Sequence, residues 1–284
     1  MRRIFRRMLW VLGIIVILWI ILAQGTMTMR DSDQQAKSEF ATAGVSLTTG
    51  TIPVSGGNIH YAFTGSDSLP TLYFIHGSPG SWDAFASFMK DKDLLMKFRM
   101  VSVDRPGFGY SDFGQPEHLP EQSNRISPLF RRLANDRPAF LAGHSLGGPL
   151  VVQLAADNPG VFTAIVLISA SLDPAEEKPE KWRPVLFRTP LNYLVPGAMR
   201  PSNQELWYLK TDLQRLRPEF AKINCTVYFI HGAADTWVPK ENVAYGRRML
   251  VNARQIEVTM LPGANHFIPW NRFQEVRQVL LNLY

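Results

Sequence analysis

From residue 46 to the C-terminus, short apolar runs alternate with longer stretches whose apolar residues recur every three or four positions. Residues 58–64 (NIHYAFT) alternate apolar and polar side chains, as a strand with one wet face does, and predict an early antiparallel strand. Residues 71–75 (TLYFI), 100–103 (MVSV), 139–142 (AFLA), 164–168 (AIVLI), 226–230 (TVYFI) and 255–260 (QIEVTM) predict further strands. Most of them are apolar almost throughout, as buried parallel strands are. Helical patterning covers 84–97, 122–135, 146–158, 242–251 and 272–283. Strands alternating with helices predict an α/β domain over 46–284, with a mostly parallel sheet covered on both faces.

One interval breaks the rhythm. Residues 171–222 are rich in proline and aromatics and show only weak helical pieces. An insertion of that size between strands predicts a functional cap rather than a plain loop. The other departure is at the start of the chain. Residues 1–7 carry four arginines, Arg2, Arg3, Arg6 and Arg7, and residues 8–23 (MLWVLGIIVILWIILA) carry no charge. As a helix, that run extended to Ile4 spans about 30 Å, the thickness of a bilayer's hydrocarbon. With no polar face to meet water, residues 1–23 read as a membrane anchor, with Trp10 and Trp19 near its ends. Arginines on the N-terminal side place that terminus in the cytoplasm and the domain outside, in the periplasm if the source is bacterial. The competing reading is a cleaved signal segment, for which Ala23-Gln24-Gly25 supplies small residues, and a secreted product. Residues 24–45 are polar, small and without periodicity, and predict a stalk.

The chain has a formal net charge of +6. Without the four leading arginines, 26 basic residues face 24 acidic ones, leaving +2, and no basic block interleaved with aromatics follows. A nucleic-acid partner is therefore not expected. The single cysteine, Cys225, excludes an intrachain disulfide and a cysteine metal cluster, and beside the apolar run 227–230 it reads as a core residue.

Candidate chemistry gathers where strands end. Gly143-His144-Ser145-Leu146-Gly147-Gly148 fits G-x-S-x-G between a predicted strand and a predicted helix, where a nucleophilic serine on a sharp turn needs small neighbours. A serine hydroxyl needs a base, and the base an orienting acid. Asp235 follows the strand at 226–230 and His266 the strand at 255–260, both beyond strand C-termini, where open parallel sheets build their sites. Acyl transfer also needs oxyanion donors. The N–H of Leu146 is one candidate and that of Ser78, in His76-Gly77-Ser78-Pro79-Gly80, is the other, since Pro79 has no N–H. Trp82, His144, Trp237 and Phe267 are candidates for contact with substrate, although His144 and His231 also read as packing groups. Asn224-Cys225-Thr226 fits a glycosylation sequon but falls at the start of a buried strand.

The motifs His76-Gly77-Ser78-Pro79-Gly80, Asp104-Arg105-Pro106-Gly107-Phe108-Gly109-Tyr110-Ser111, Gly143-His144-Ser145-Leu146-Gly147-Gly148, His231-Gly232-Ala233-Ala234-Asp235 and Gly263-Ala264-Asn265-His266-Phe267 follow one another in order. In this they resemble the successive signatures of the α/β-hydrolase fold family, in its serine-nucleophile, esterase- and lipase-like branch. The resemblance covers roughly residues 50–284. It implies an eight-stranded core with the second strand antiparallel, a cap after the sixth strand, and no cofactor or metal. Dehalogenase and epoxide hydrolase members carry aspartate at the elbow, where this chain has Ser145. The HGSPG loop is similar to the HGGPG of iminopeptidases, but that branch has G-x-S-W-G and this chain has Leu146.

The expected activity is hydrolysis of a carboxylic ester, or a related acyl bond, with a small or medium hydrophobic acyl group. The alternatives are an aminopeptidase using Glu176, Glu177, Glu180 and Glu205 of the cap as an acidic pocket, a carbon–carbon bond hydrolase, and a catalytically silent, membrane-tethered binding module.

Overall fold

The computed structural model describes residues 1–283. Eight strands form one sheet: β1 (Thr48–Val54), β2 (Gly57–Thr64), β3 (Thr71–Ile75), β4 (Arg99–Val103), β5 (Ala139–His144), β6 (Phe162–Ile168), β7 (Thr226–Gly232) and β8 (Gln255–Leu261). Their spatial order is β1-β2-β4-β3-β5-β6-β7-β8. β2 pairs antiparallel with both neighbours, and from β4 to β8 every pairing is parallel. The central strands β3 and β4 are buried at every position, which is why β3 and most of β4 read as apolar runs.

Two apolar layers flank the sheet. On one face Leu141, Ile165 and Val227 pack with Leu129 of α5 (Leu119–Arg132) and Leu150 and Leu154 of α6 (Gly147–Asp157). On the other, Phe74, Phe140 and Val166 pack with Phe88 of α3 (Ala86–Met89), Leu94 of α4 (Lys92–Lys97) and Val276 of α11 (Phe273–Leu281). Helix α9 (Glu241–Met249) and the one-turn α10 (Ile268–Asn271) follow β7 and β8. The cap enters after β6 and returns at β7, carrying α7 (Arg183–Phe187), a 3₁₀ turn (Pro190–Leu194) and α8 (Met199–Leu216).

Four expectations need correction. First, the stretch expected as a stalk is not free: it contains α2 (Asp33–Thr42), capped by the Ser32 hydroxyl accepting from the Gln35 N–H at 3.2 Å. Ala36 and Phe40 of α2 are buried, and the Phe40 ring lies 5.9 Å from that of Trp82. Second, β1 completes the eight strands that the resemblance implies, but the hydrophobic pattern does not show it. Its sequence, TTGTIPV, is an edge strand buried at no position, so it has little apolar signal to read. Third, the helix expected over 84–97 breaks into a 3₁₀ turn (Trp82–Phe85), α3 and α4, with Asp91 capping α4 through the Asp93 and Leu94 N–H groups. Fourth, the cap's weak helical pieces include an 18-residue helix, α8. Its buried face mixes Leu209, Leu213 and Leu216 with Ser202, Asn203, Glu205 and Asp212, which masks the helical period.

Helix α1 (Arg2–Gly25) touches the cap near its C-terminal end and leaves its apolar side chains exposed along most of its length. Phe40→Ala should lower the free energy of unfolding by about 3 kcal/mol, the order expected for emptying a buried aromatic site. Urea unfolding checks this; an unchanged midpoint would mean that α2 is only a tether.

Candidate active site

The turn from β5 into α6 makes Ser145 adopt a left-handed backbone, φ 56°. A side chain in that region costs energy that the surrounding packing must offset. Gly143 shows how tight the turn is: a Cβ there would lie 2.4 Å from the Gly147 carbonyl oxygen. The strain holds the Ser145 hydroxyl up from the sheet, at the positive end of α6.

His266, in the turn after β8, places Nε2 3.0 Å from Ser145 Oγ and Nδ1 2.8 Å from Asp235 Oδ2. A carboxylate can only accept, so the neutral imidazole carries its proton on Nδ1 and turns the Nε2 lone pair toward the serine. Asp235 is held in turn by the Trp237 and Val238 N–H groups, at 2.9 and 2.8 Å on Oδ1. Burial pushes the Asp235 carboxyl up, but the bonds from His266 and the Val238 amide outweigh it and hold the group below its ordinary value. The aspartate is therefore ionised at neutral pH.

The neighbouring histidines differ. His144 donates Nε2–H to the His266 carbonyl at 3.0 Å. Burial, with His266 nearby, pushes it down to about 3, so it is a neutral brace. His231 likewise donates to the Val238 carbonyl at 2.9 Å, and burial lowers it.

The loop after β3 is fixed from behind. The Gly77 carbonyl accepts from His76 Nδ1 at 2.7 Å and from Arg105 Nη2 at 2.9 Å. In a trans peptide, C=O and N–H point opposite ways, so the Ser78 N–H is turned away from Arg105. On its other side Gly77 is close to the elbow: a Cβ there would lie 3.1 Å from the Ser145 Cβ. Arg105 is fully buried and makes a two-pronged ion pair with Glu205 of α8, 2.8 Å on each prong. It also bonds Gln122 at 3.0 Å. One guanidinium thus ties the cap, the loop after β3 and α5 together.

These groups open on a cavity of about 860 Å³ between sheet edge and cap. Ser78, His144, Ser145, Leu146, Trp237, His266 and Phe267 all line it. Trp237 stacks on the His266 ring at 5.6 Å. Trp82 is a correction: it is buried, packs on Phe40 and does not line the cavity. Its N–H bonds Asp104 at 2.7 Å, and its carbonyl accepts from Ser102, so it serves the core. Trp182 of the cap lines the cavity, an aromatic that the sequence offers as a pocket candidate, and so do Met29, Met199, Leu206 and Leu209, which sequence reading missed.

Two of the four cap glutamates are paired with arginines. Glu205 is neutralised by Arg105, and Glu180 pairs with Arg183. Glu177 lines the cavity, where it accepts from the Ser171 hydroxyl and burial pushes its carboxyl up.

A family model described as α/β hydrolase fold matches residues 70–195, from β3 into the cap. With the sheet order and the elbow, it shows that the chain has the α/β-hydrolase fold. Its curated relatives include hydrolases. Epoxide hydrolase 1 of Caenorhabditis elegans is 30% identical over 113 residues, 38% of this chain and 27% of that protein. A pimeloyl-[acyl-carrier protein] methyl ester esterase of Neisseria meningitidis is 30% identical over 116 residues, 40% of this chain and 43% of that protein. The chain thus spans less than half the length of these curated relatives. Among solved structures, a membrane phospholipase A described as a bacterial virulence factor superposes with a TM-score of 0.67 and 21% identity, covering 100% of this chain and 98% of that one. At that identity the likeness speaks for the fold.

Glu205→Gln leaves Arg105 buried beside a neutral partner, and should lower the free energy of unfolding by about 3 kcal/mol. The paired change Arg105→Met with Glu205→Leu should regain most of that loss. Urea unfolding of both variants checks the pair; equal losses would mean that the ion pair is not what joins cap to core.

Proposed function

We propose that this chain is a serine hydrolase that cleaves carboxylic esters through an acyl-enzyme, held at a membrane by its N-terminal helix. The observation that carries the reading is the hydrogen-bonded line Asp235–His266–Ser145 opening on the cavity.

His266 Nε2 takes the hydroxyl proton as Ser145 Oγ attacks the ester carbonyl, and Asp235 stabilises the imidazolium that forms. The N–H groups of Leu146 and Ser78 receive the negative charge that develops on the carbonyl oxygen. The Ser78 donor is favoured by Arg105 and His76 holding the Gly77 carbonyl on the opposite side. The imidazolium then returns its proton to the leaving alkoxide, giving the alcohol and the acyl-enzyme. Water, deprotonated by His266, attacks that ester in the second half and releases the acid and free Ser145.

The apolar lining, with Trp182, Met199, Leu206 and Leu209, suits a hydrophobic acyl group. The activity of one relative, a methyl ester esterase, supports an ester as the scissile bond. The exposed apolar α1, with arginines at its N-terminal end only, supports an uncleaved anchor with the N-terminus in the cytoplasm and the domain outside.

A fluorophosphonate probe should label the full chain, and Ser145→Ala should abolish labelling. Turnover of p-nitrophenyl esters should fall by about 10⁴-fold or more in Ser145→Ala, and by about 10⁴-fold in Asp235→Asn. Labelling that persists in folded Ser145→Ala would remove Ser145 from the mechanism.

A further inference from the structure

We propose that the cap stretch 182–199 is embedded in the bilayer interface beside α1, so that the cavity takes its substrate from the membrane: an amphiphilic ester with a long acyl chain. This rests on reading α1 as a membrane anchor and deepens the function proposed above.

The reasoning starts from depth along α1. The uncharged run of α1 ends at Ala23, and at 1.5 Å per residue Trp19 lies about 6 Å inside that end. Trp19 Nε1 donates to the Leu194 carbonyl at 2.7 Å. A bilayer spanned by α1 therefore reaches the level of the 3₁₀ turn Pro190–Leu194.

The backbone of that stretch is satisfied as lipid demands. Beside Leu194, the carbonyls of Tyr193 and Val195 both accept from the Gln24 side chain, at 3.0 and 2.8 Å. Three consecutive carbonyls are thus capped by α1 side chains. Water would satisfy them without help; hydrocarbon would not. The contact continues below: the Gly197 N–H bonds the Ala23 carbonyl at 2.8 Å and the Ala198 N–H bonds the Met27 carbonyl at 2.9 Å. Gly197 is what lets the chains approach, since a Cβ there would lie 2.9 Å from Thr28 Cγ2.

The outward side chains match. Val185 is 57% exposed, Leu191 45%, Tyr193 47% and Leu194 39%, a costly surface for water and a suitable one for acyl chains. The cavity lies directly behind. Met29, from the segment leaving α1, and Met199, next to Ala198, both line it, as does Trp182 at the start of the stretch. The same contact that fixes the cap to the anchor therefore builds one wall of the site.

The test uses the full chain in phosphatidylcholine vesicles, in a Cys225→Ser background that removes the only cysteine. Leu191→Cys, Ile14→Cys and Val251→Cys each carry an environment-sensitive NBD label. Val251 precedes β8, at the sheet edge opposite the site, and is the control. We expect lipid-borne doxyl groups to quench the labels at 14 and 191 but not at 251. Quenching at 14 without quenching at 191 overturns the proposal and leaves the anchor standing; no quenching at 14 removes both. A label at 191 that is shielded but not lipid-quenched also overturns it, in favour of contact with a second copy.

Activity gives an independent reading. Leu191→Asp with Leu194→Asp should cut hydrolysis of a long-chain p-nitrophenyl ester held in vesicles by about tenfold or more, given the cost of an aspartate in lipid. Hydrolysis of soluble p-nitrophenyl acetate should change by less than about twofold. Equal losses on both substrates would overturn the proposal. The serine chemistry is read separately, because quenching needs no turnover.

Discussion

Arg105 carries its charge with no access to water, and a charge so placed is tolerable only if every group around it is in position. Its two prongs hold Glu205 of α8, and its remaining bonds hold Gln122 of α5 and the Gly77 carbonyl. Those partners come from the cap, a sheet-covering helix and the loop beside the elbow. A shift in any of them would cost the buried guanidinium a hydrogen bond or, for Glu205, its counter-charge. This is what makes the space above Ser145 a fixed cavity rather than a gap under a loose lid, and what turns the Gly77–Ser78 peptide with its N–H away from the guanidinium.

The site itself is a second fixed assembly joined to the first through Gly77. The left-handed turn at Ser145 presents the hydroxyl. Two backbone N–H groups hold Asp235, and Asp235 sets which nitrogen of His266 faces the serine. Neutral His144 supports the His266 carbonyl without competing for the proton. Ser145, Asp235 and His266 come from turns after three different parallel strands, so their alignment depends on the register of β5, β7 and β8 rather than on local sequence.

Much of this could be read in the chain because burial on both faces leaves a plain mark. TLYFI at 71–75 becomes β3 with the expected bounds, and the elbow lies where its glycines and the apolar run before it require. What could not be read has polar residues doing structural work. Helix α8 hides its period because Glu205 and Asp212 are buried against Arg105 and His118, partners about a hundred residues away. Helix α2 reads as a polar tether because only Ala36 and Phe40 of its ten residues are buried. Trp82, which a sequence places beside the site, belongs to the core because Phe40 covers it. The contribution of the anchor-proximal segment to the cavity, through Met29, depends on hydrogen bonds between residues more than 165 positions apart.

The central claim is that Ser145 becomes covalently acylated. The full chain should be mixed with a p-nitrophenyl ester, quenched in acid during turnover and digested, and the peptide containing Ser145 weighed. An added acyl mass on Ser145, absent when the ester is omitted and absent in Ser145→Ala, is the predicted result. An acyl mass on another residue, or undiminished turnover by Ser145→Ala, would contradict the account.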